Sequence, residues 1–135
     1  MVFGSPQAMT DPSSTSAESP LTREMVEQID ASMLPSLERH HLRLLTHCLA
    51  SFQQMASPEC KGPIPALAQQ QRWCRDQPLL KNDPEFCDLL LRQFSTAADR
   101  LESIADALGI TPLELTLGAL IDQAVVALNA RQQIT

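Results

Sequence analysis

Apolar side chains recur along residues 21–131 at intervals of three and four, the spacing that places them on one face of an α-helix. Alternation of apolar and polar residues with β-branched side chains, which is typical of strands, is almost absent. Prolines, glycines and capping residues divide the helical pattern into segments. The pattern therefore predicts an all-α bundle of five helices, at residues 21–33, 36–56, 65–76, 84–108 and 112–131.

Each long segment carries its own apolar stripe, and each stripe predicts a buried face. In the first helix the stripe consists of Met25, Ile29 and Met33. In the helix at 36–56 it consists of Leu37, His41, Leu44, Cys48, Phe52 and Met55, widened by Leu45 and Leu49. We therefore expect His41 in the core and both His40 and His47 in water. In the helix at 84–108 it consists of Phe86, Leu90, Phe94, Ala97, Leu101, Ile104 and Leu108.

Local signals fix the boundaries of the last two helices. Asp83 is an N-cap residue followed by a proline at the first helical position, and Gly109 is a C-terminal cap. Thr111 and Glu114 have the spacing of a capping box, with Pro112 between them. These signals predict that one helix ends at residue 108 and the next begins at 112.

Composition narrows the class of protein. Residues 1–20 are rich in Ser, Thr and Pro and predict a disordered tail ahead of one helical domain at 21–135. The net charge of −6, with two lysines and eight scattered arginines, argues against nucleic acid as a partner. Apolar runs are too short to span a membrane, and the first residues lack the features of a secretory signal. We therefore expect a cytoplasmic protein.

The sequence offers no catalytic constellation and no clear metal site. It has four glycines, no glycine-rich phosphate loop and no nucleophile elbow, so we expect a non-enzyme without a cofactor. The cysteines form no CxxC pair and are interpreted as free thiols in a reducing compartment. His41 and Cys48 lie seven positions apart, about 10 Å along a helix, which is too far for one ion.

Two features are candidate partner-binding surfaces. The carboxylates of Asp99, Glu102 and Asp106 form an acidic ridge on the helix at 84–108. The single tryptophan, Trp73, either anchors its short helix to the core or, if exposed, contributes to an interface. The helices at 84–108 and 112–131 also carry wide apolar surfaces, which suggest a homodimer through these two helices.

A local resemblance gives an alternative. Residues 100–115, centred on the turn Leu108-Gly109-Ile110-Thr111, look like a helix–turn–helix stretch of small DNA-binding regulators. Extended to residues 89–128, the segment is similar to the ribbon-helix-helix family, a strand followed by two helices. The resemblance implies a strand at 88–94 and DNA contacts by Arg92 and Arg100. Residues 86–135 contain six acids against three arginines, which disfavours this role.

The residues favour a non-enzymatic, cytoplasmic protein–protein interaction or regulatory module of bacterial type that acts through a helical surface. The first alternative is a DNA-binding transcriptional regulator using residues 89–131. The second is a metal- or cofactor-binding bundle using His41, Cys48 or Cys87. An exposed strand at 88–94 would favour the former, and converging His and Cys side chains would favour the latter.

Overall fold

Five α-helices and one 3-10 turn make up the part of the chain described by the computed structural model, which comprises residues 21–59, 61–78, 80 and 82–134. The helices are α1 (Arg23–Ala31), α2 (Ser36–Ala56), α3 (Leu67–Asp76), α4 (Pro84–Leu108) and α5 (Leu117–Ile134), and the turn spans Pro112–Glu114. Helical residues account for 77% of these positions, and none of them lies in a strand. The predicted all-α bundle is confirmed, whereas the predicted tail at 1–20 lies outside the described residues.

Helix α2 is the central element, because it packs against α1, α3, α4, α5 and the 3-10 turn. Its Phe52 ring lies 5.0 Å from the ring of Phe94 on α4, measured between centroids. The ring of Trp73 on α3 lies 6.1 Å from the ring of Phe94, also measured between centroids. Phe52 and Phe94 are fully buried, so this aromatic cluster joins three helices at the middle of the core.

The buried face of α2 agrees with the predicted stripe only in part. Cys48, Leu49 and Phe52 are buried as predicted. Leu37, His41 and Leu44 of the stripe are exposed, and Leu42 and Thr46 are buried in addition. Because helices cover α2 on several sides, its buried surface is wider than one stripe and is centred on different positions. His41 is therefore not a core histidine. His47 is half-buried instead, and its burial lowers its pKa.

The predicted stripe of α4 is correct over its central five positions. Leu90, Phe94, Ala97, Leu101 and Ile104 are all buried. The two ends of the stripe, Phe86 and Leu108, are exposed, since α4 has 25 residues and extends beyond its shorter neighbours. The cap predictions also hold. The Asp83 carboxylate accepts a hydrogen bond of 3.0 Å from the Phe86 N–H, and Gly109 ends the helix in the left-handed region with φ 73°.

The predicted end of the first helix and the predicted start of the last helix are wrong. Helix α1 ends at Ala31, and Met33 has φ 66° and an exposed side chain, so Leu34 enters the core in its place. Glu114 does bind Thr111, but the pair encloses the 3-10 turn and not the first turn of α5. Extended backbone at Leu115 then lets both Leu113 and Leu115 enter the core before α5 begins at Leu117.

Hydrogen bonds fasten the 3-10 turn to the loop that follows α2. The Glu114 carboxylate accepts bonds from the N–H (2.9 Å) and hydroxyl (2.6 Å) of Thr111. The Thr111 hydroxyl accepts in turn from the N–H of Gly62 at 2.9 Å, and the Gly62 carbonyl accepts from Leu113 at 3.2 Å. Gly62 has φ 125°, a conformation that favours glycine. A short polar network thus sets where α5 enters the bundle.

We expect Leu101→Ala or Leu120→Ala to lower the free energy of unfolding by about 2–5 kcal/mol, because both side chains are buried and each change leaves a cavity. Urea unfolding followed by circular dichroism measures the loss. His40→Ala is the control, since His40 is exposed and should be close to neutral. A larger loss for His40→Ala than for Leu101→Ala would contradict the assigned core.

Glu114 predicts a pH dependence of stability. Hydrogen bonds from the Thr111 hydroxyl and N–H lower the pKa of its carboxyl below the usual 4.5, with a smaller contribution from Lys61. A lowered folded-state pKa adds stability above about pH 4.5, and that stability is lost as the pH falls through the folded-state value. Glu114→Gln should therefore weaken the acid sensitivity of the midpoint temperature measured from pH 7 to pH 3. Glu102→Gln, at an exposed position, should leave it intact.

Candidate functional site

A groove of about 370 Å³ runs between α2 and α4 and is lined mainly by apolar surface. Its floor is formed by the small buried side chains of Cys48 and Ala97. Leu44 and Leu89 stand on its two sides and are 42% and 47% exposed. Large apolar side chains left half in water around a concavity are typical of a protein-binding surface.

Polar side chains border this groove. Arg92, Gln93 and Thr96 of α4 and His41 of α2 all line it and are all exposed. The Thr96 hydroxyl donates to the Arg92 carbonyl at 3.4 Å, while the guanidinium of Arg92 lies at the lining of the groove. An apolar centre with a polar border is the usual composition of an interface between proteins.

The groove continues into an acidic cavity at the first turns of α4. Leu89 and Arg92 line both spaces. The other residues of the cavity are Phe86, which is 47% exposed, and the carboxylates of Asp83, Glu85 and Asp88. The groove and the acidic cavity therefore adjoin at these two residues of α4.

A second cavity, of about 320 Å³, lies among α2, α4 and α5 and is more polar. Leu42, Ile104 and Leu120 line it together with Arg100 and Gln123. Arg131 of α5 forms an ion pair of 3.0 Å with Glu38 of α2 across this space. Because one of its two arginines is already paired within the chain, this cavity offers less to a partner than the groove.

The structure places the sequence-predicted partner residues apart from the groove. Trp73 is half-buried and packs on Phe94, in the arrangement expected of a side chain that anchors a short helix. Asp99, Glu102 and Asp106 are exposed on α4, and none of them lines the groove or the acidic cavity. Their role in binding stays a prediction.

The geometry expected for the DNA-binding alternative is not found. Residues 88–94 lie inside α4, so no ribbon strand forms there. Arg92 lines the groove and Arg100 lines the second cavity, so the two arginines do not line the same concavity. The carboxylates beside Arg92 add negative charge where a phosphate would have to approach.

The three residues of the metal-binding alternative do not converge. Cys48 is buried, and burial raises the pKa of its thiol to about 11. His41 is exposed and lies on the same helix, at the lining of the groove. The thiol of Cys87 donates a hydrogen bond of 3.3 Å to the Leu80 carbonyl. Among the described residues, no three His, Cys, Asp or Glu side chains are placed to hold an ion. Cys60 lies outside this part of the chain.

Sequence reasoning missed Leu89 and Leu44 as exposed site residues. A signal was present, because Leu89, Leu90 and Leu91 are consecutive and point in directions about 100° apart on a helix. Only Leu90 is fully buried, and Leu91 is half-buried. That Leu44 and Leu89 line the same groove depends on how α2 and α4 pack, which no local pattern contains.

Within the described part of the chain, no helix combines the length and the apolar character that crossing a membrane requires. Comparison with curated proteins finds no match, and comparison with solved structures finds none either. A family model described as "NDH complex assembly factor CRR9" matches residues 21–131, which span all five helices up to Arg131.

This match corrects two interpretations of the sequence. The resemblance to helix–turn–helix and ribbon-helix-helix regulators is wrong, since the matched family covers the same segment within a much longer alignment and is not one of those families. The interpretation as a generic bacterial regulatory module is also wrong. A role in protein interaction, by contrast, is consistent with a family of assembly factors. The match spans most of the chain, and the protein therefore belongs to the CRR9 family of NDH complex assembly factors.

Proposed function

We propose that this protein is a non-enzymatic factor that helps assemble the NDH complex by holding an incompletely assembled component in the groove between α2 and α4. The family supports the assembly role. The observation that supports the groove is the exposure of Leu44 and Leu89 on its two sides, around a floor of small side chains. An unassembled subunit exposes apolar surface that its final partners later cover, and the groove offers a matching surface.

The groove suits temporary binding. Its apolar contact is limited to a few side chains, and its border is polar, as in interfaces that form and dissociate. The walls belong to two helices that share the buried Phe52–Phe94 contact, so the groove is already formed in the free protein. A preformed surface costs little reorganisation on binding, and release follows when a subunit of the complex covers the same apolar patch more extensively.

Replacing an apolar wall of the groove with a charge should block assembly without unfolding the protein. In cells that lack this protein, we expect the wild type to restore the assembled NDH complex, and Leu44→Glu or Leu89→Glu to restore about tenfold less, because a desolvated carboxylate opposes an apolar contact. The measurement is the amount of intact complex on native gels, normalised to the amount of the variant protein.

Leu67→Glu is the matched control, since Leu67 is 59% exposed but lies outside the groove. It should restore the complex as the wild type does. Equal restoration by all three variants would show that the groove is not the binding surface. Failure of the wild type itself to restore the complex would exclude the assembly role.

We also propose that the chain forms a homodimer through α5, a narrower surface than the pair of helices predicted from sequence. The stripe of α4 is covered by α2 and belongs to the core. Helix α5 keeps apolar side chains around much of its circumference. Among its side chains up to residue 132, Leu120 is the one that is fully buried. Ile121, Val125 and Leu128 are half-buried, and Val126 is 60% exposed.

Light scattering in line with size exclusion tests the dimer. At about 100 µM chain, where a dimer with a micromolar Kd is largely associated, we expect twice the chain mass of 14.9 kDa. Val126→Glu should return the mass to one chain, because it replaces an exposed apolar side chain of α5 with a carboxylate that opposes burial in an interface. A single-chain mass for the wild type at this concentration would rule out the dimer.

A further inference from the structure

The geometry points to a specific kind of partner: an amphipathic helix whose apolar face lies in the α2–α4 groove and whose basic end lies over Asp83, Glu85 and Asp88. This inference rests on the proposed function, because it takes the groove as the partner-binding surface. It goes further by naming the shape of the bound element and the charge at one of its ends.

The shape of the groove fits a helix. Its α4 wall extends from Leu89 to Ala97, and with the acidic cavity the surface reaches back to Glu85, about 18 Å in total at 1.5 Å per residue. A helix of about 12 residues spans that length. Helices bind grooves through apolar side chains at positions i, i+3 or i+4, and i+7. The small side chains of Cys48 and Ala97 leave space for one large apolar side chain of the partner between Leu44 and Leu89.

The charge of the surface is concentrated at one end. Three carboxylates and one guanidinium, that of Arg92, line the cavity around Phe86, which gives a formal excess of two negative charges among the lining residues. Part of this charge stabilises α4 itself, since Asp83 caps the helix and Glu85 lies in its first turn. Asp88 lies beyond the cap and the first turn and forms no hydrogen bond or ion pair with the described residues. A basic side chain of the partner would contact this carboxylate.

Helix dipoles set the direction of the partner helix. Lysine and arginine stabilise a helix most when they lie in its last turn. If the last turn lies over Asp88, the partner helix runs antiparallel to α4, and its negative C-terminal end lies beside the positive N-terminal end of α4. The charge of the acidic cavity and the two dipoles therefore favour the same orientation.

Binding of synthetic peptides to the full chain tests this inference independently of the NDH complex. The probes are three fluorescein-labelled helical peptides of about 14 residues with leucine at the same i, i+4 and i+7 positions. The first carries lysines in its last turn, the second carries the same lysines in its first turn, and the third carries glutamates in its last turn. Fluorescence polarisation at low salt gives each Kd.

We expect the first peptide to bind about three- to tenfold more tightly than the third, because exposed charge pairs each contribute up to about 1 kcal/mol. The second should lie between them. The double variant Glu85→Gln/Asp88→Asn should remove the difference, and Leu89→Glu should abolish binding of all three. Asp99→Asn/Glu102→Gln, which removes two charges from the acidic ridge of the same helix, should leave the order unchanged.

Three results would overturn the inference. Equal affinities for all three peptides would exclude the charge preference, and no binding to the wild type would exclude a helix in the groove. Loss of the preference in the Asp99→Asn/Glu102→Gln variant would transfer the site to the ridge. The other occupant to be distinguished is a second copy of the chain. If light scattering shows a dimer for the wild type and a monomer for Leu89→Glu, the second copy occupies the groove. The native-gel assay of the NDH complex is unaffected by these outcomes, so the two proposals can fail separately.

Discussion

The contact between Phe52 and Phe94 is the interaction on which the rest of the molecule depends. It fixes α2 against α4, and the packing of Trp73 on Phe94 adds α3 to the same point. One helical turn away from these rings, the interface is filled by Cys48 and Ala97, whose side chains are small. The helices are held apart at the distance that the aromatic rings require, so small side chains beside the rings leave a groove. The strongest part of the core thus produces the candidate site next to it.

Most of the fold can be predicted from sequence because its determinants are local. The Asp83 cap and the left-handed Gly109 mark the two ends of α4, and each makes its hydrogen bonds with residues at most four positions away. The buried stripe from Leu90 to Ile104 follows from helical spacing. The buried face of α2 could be predicted only in part, because five elements pack against this helix and a single stripe does not describe a surface that is buried on several sides. The predicted start of α5 is wrong because burial of Leu113 and Leu115 outweighs a local capping signal.

The groove itself could not be predicted, and the reason is physical. Leu44 and Leu89 each lie on an apolar helix and are 45 positions apart in sequence, so their exposure depends on the relative placement of two helices. A pattern of residues shows that a helix has an apolar face but does not show how much of that face a neighbour covers. The tryptophan and the acidic ridge each lie within one segment of the chain, so the sequence alone reveals them. A surface shared by two segments has no such signature.

An assembly factor has to keep apolar surface exposed without aggregating, and the distribution of charge in this chain is suited to that requirement. The net charge of −6 opposes non-specific association between copies, and the exposed acids of α4 outside the groove favour water over contact with one another. Two of the exposed leucines of these helices, Leu44 and Leu89, line the groove whose floor is formed by Cys48 and Ala97. A convex, rod-shaped element can reach it. Concavity therefore selects a partner by shape, while the acidic end selects it by charge, and the aromatic cluster beneath holds both features in place.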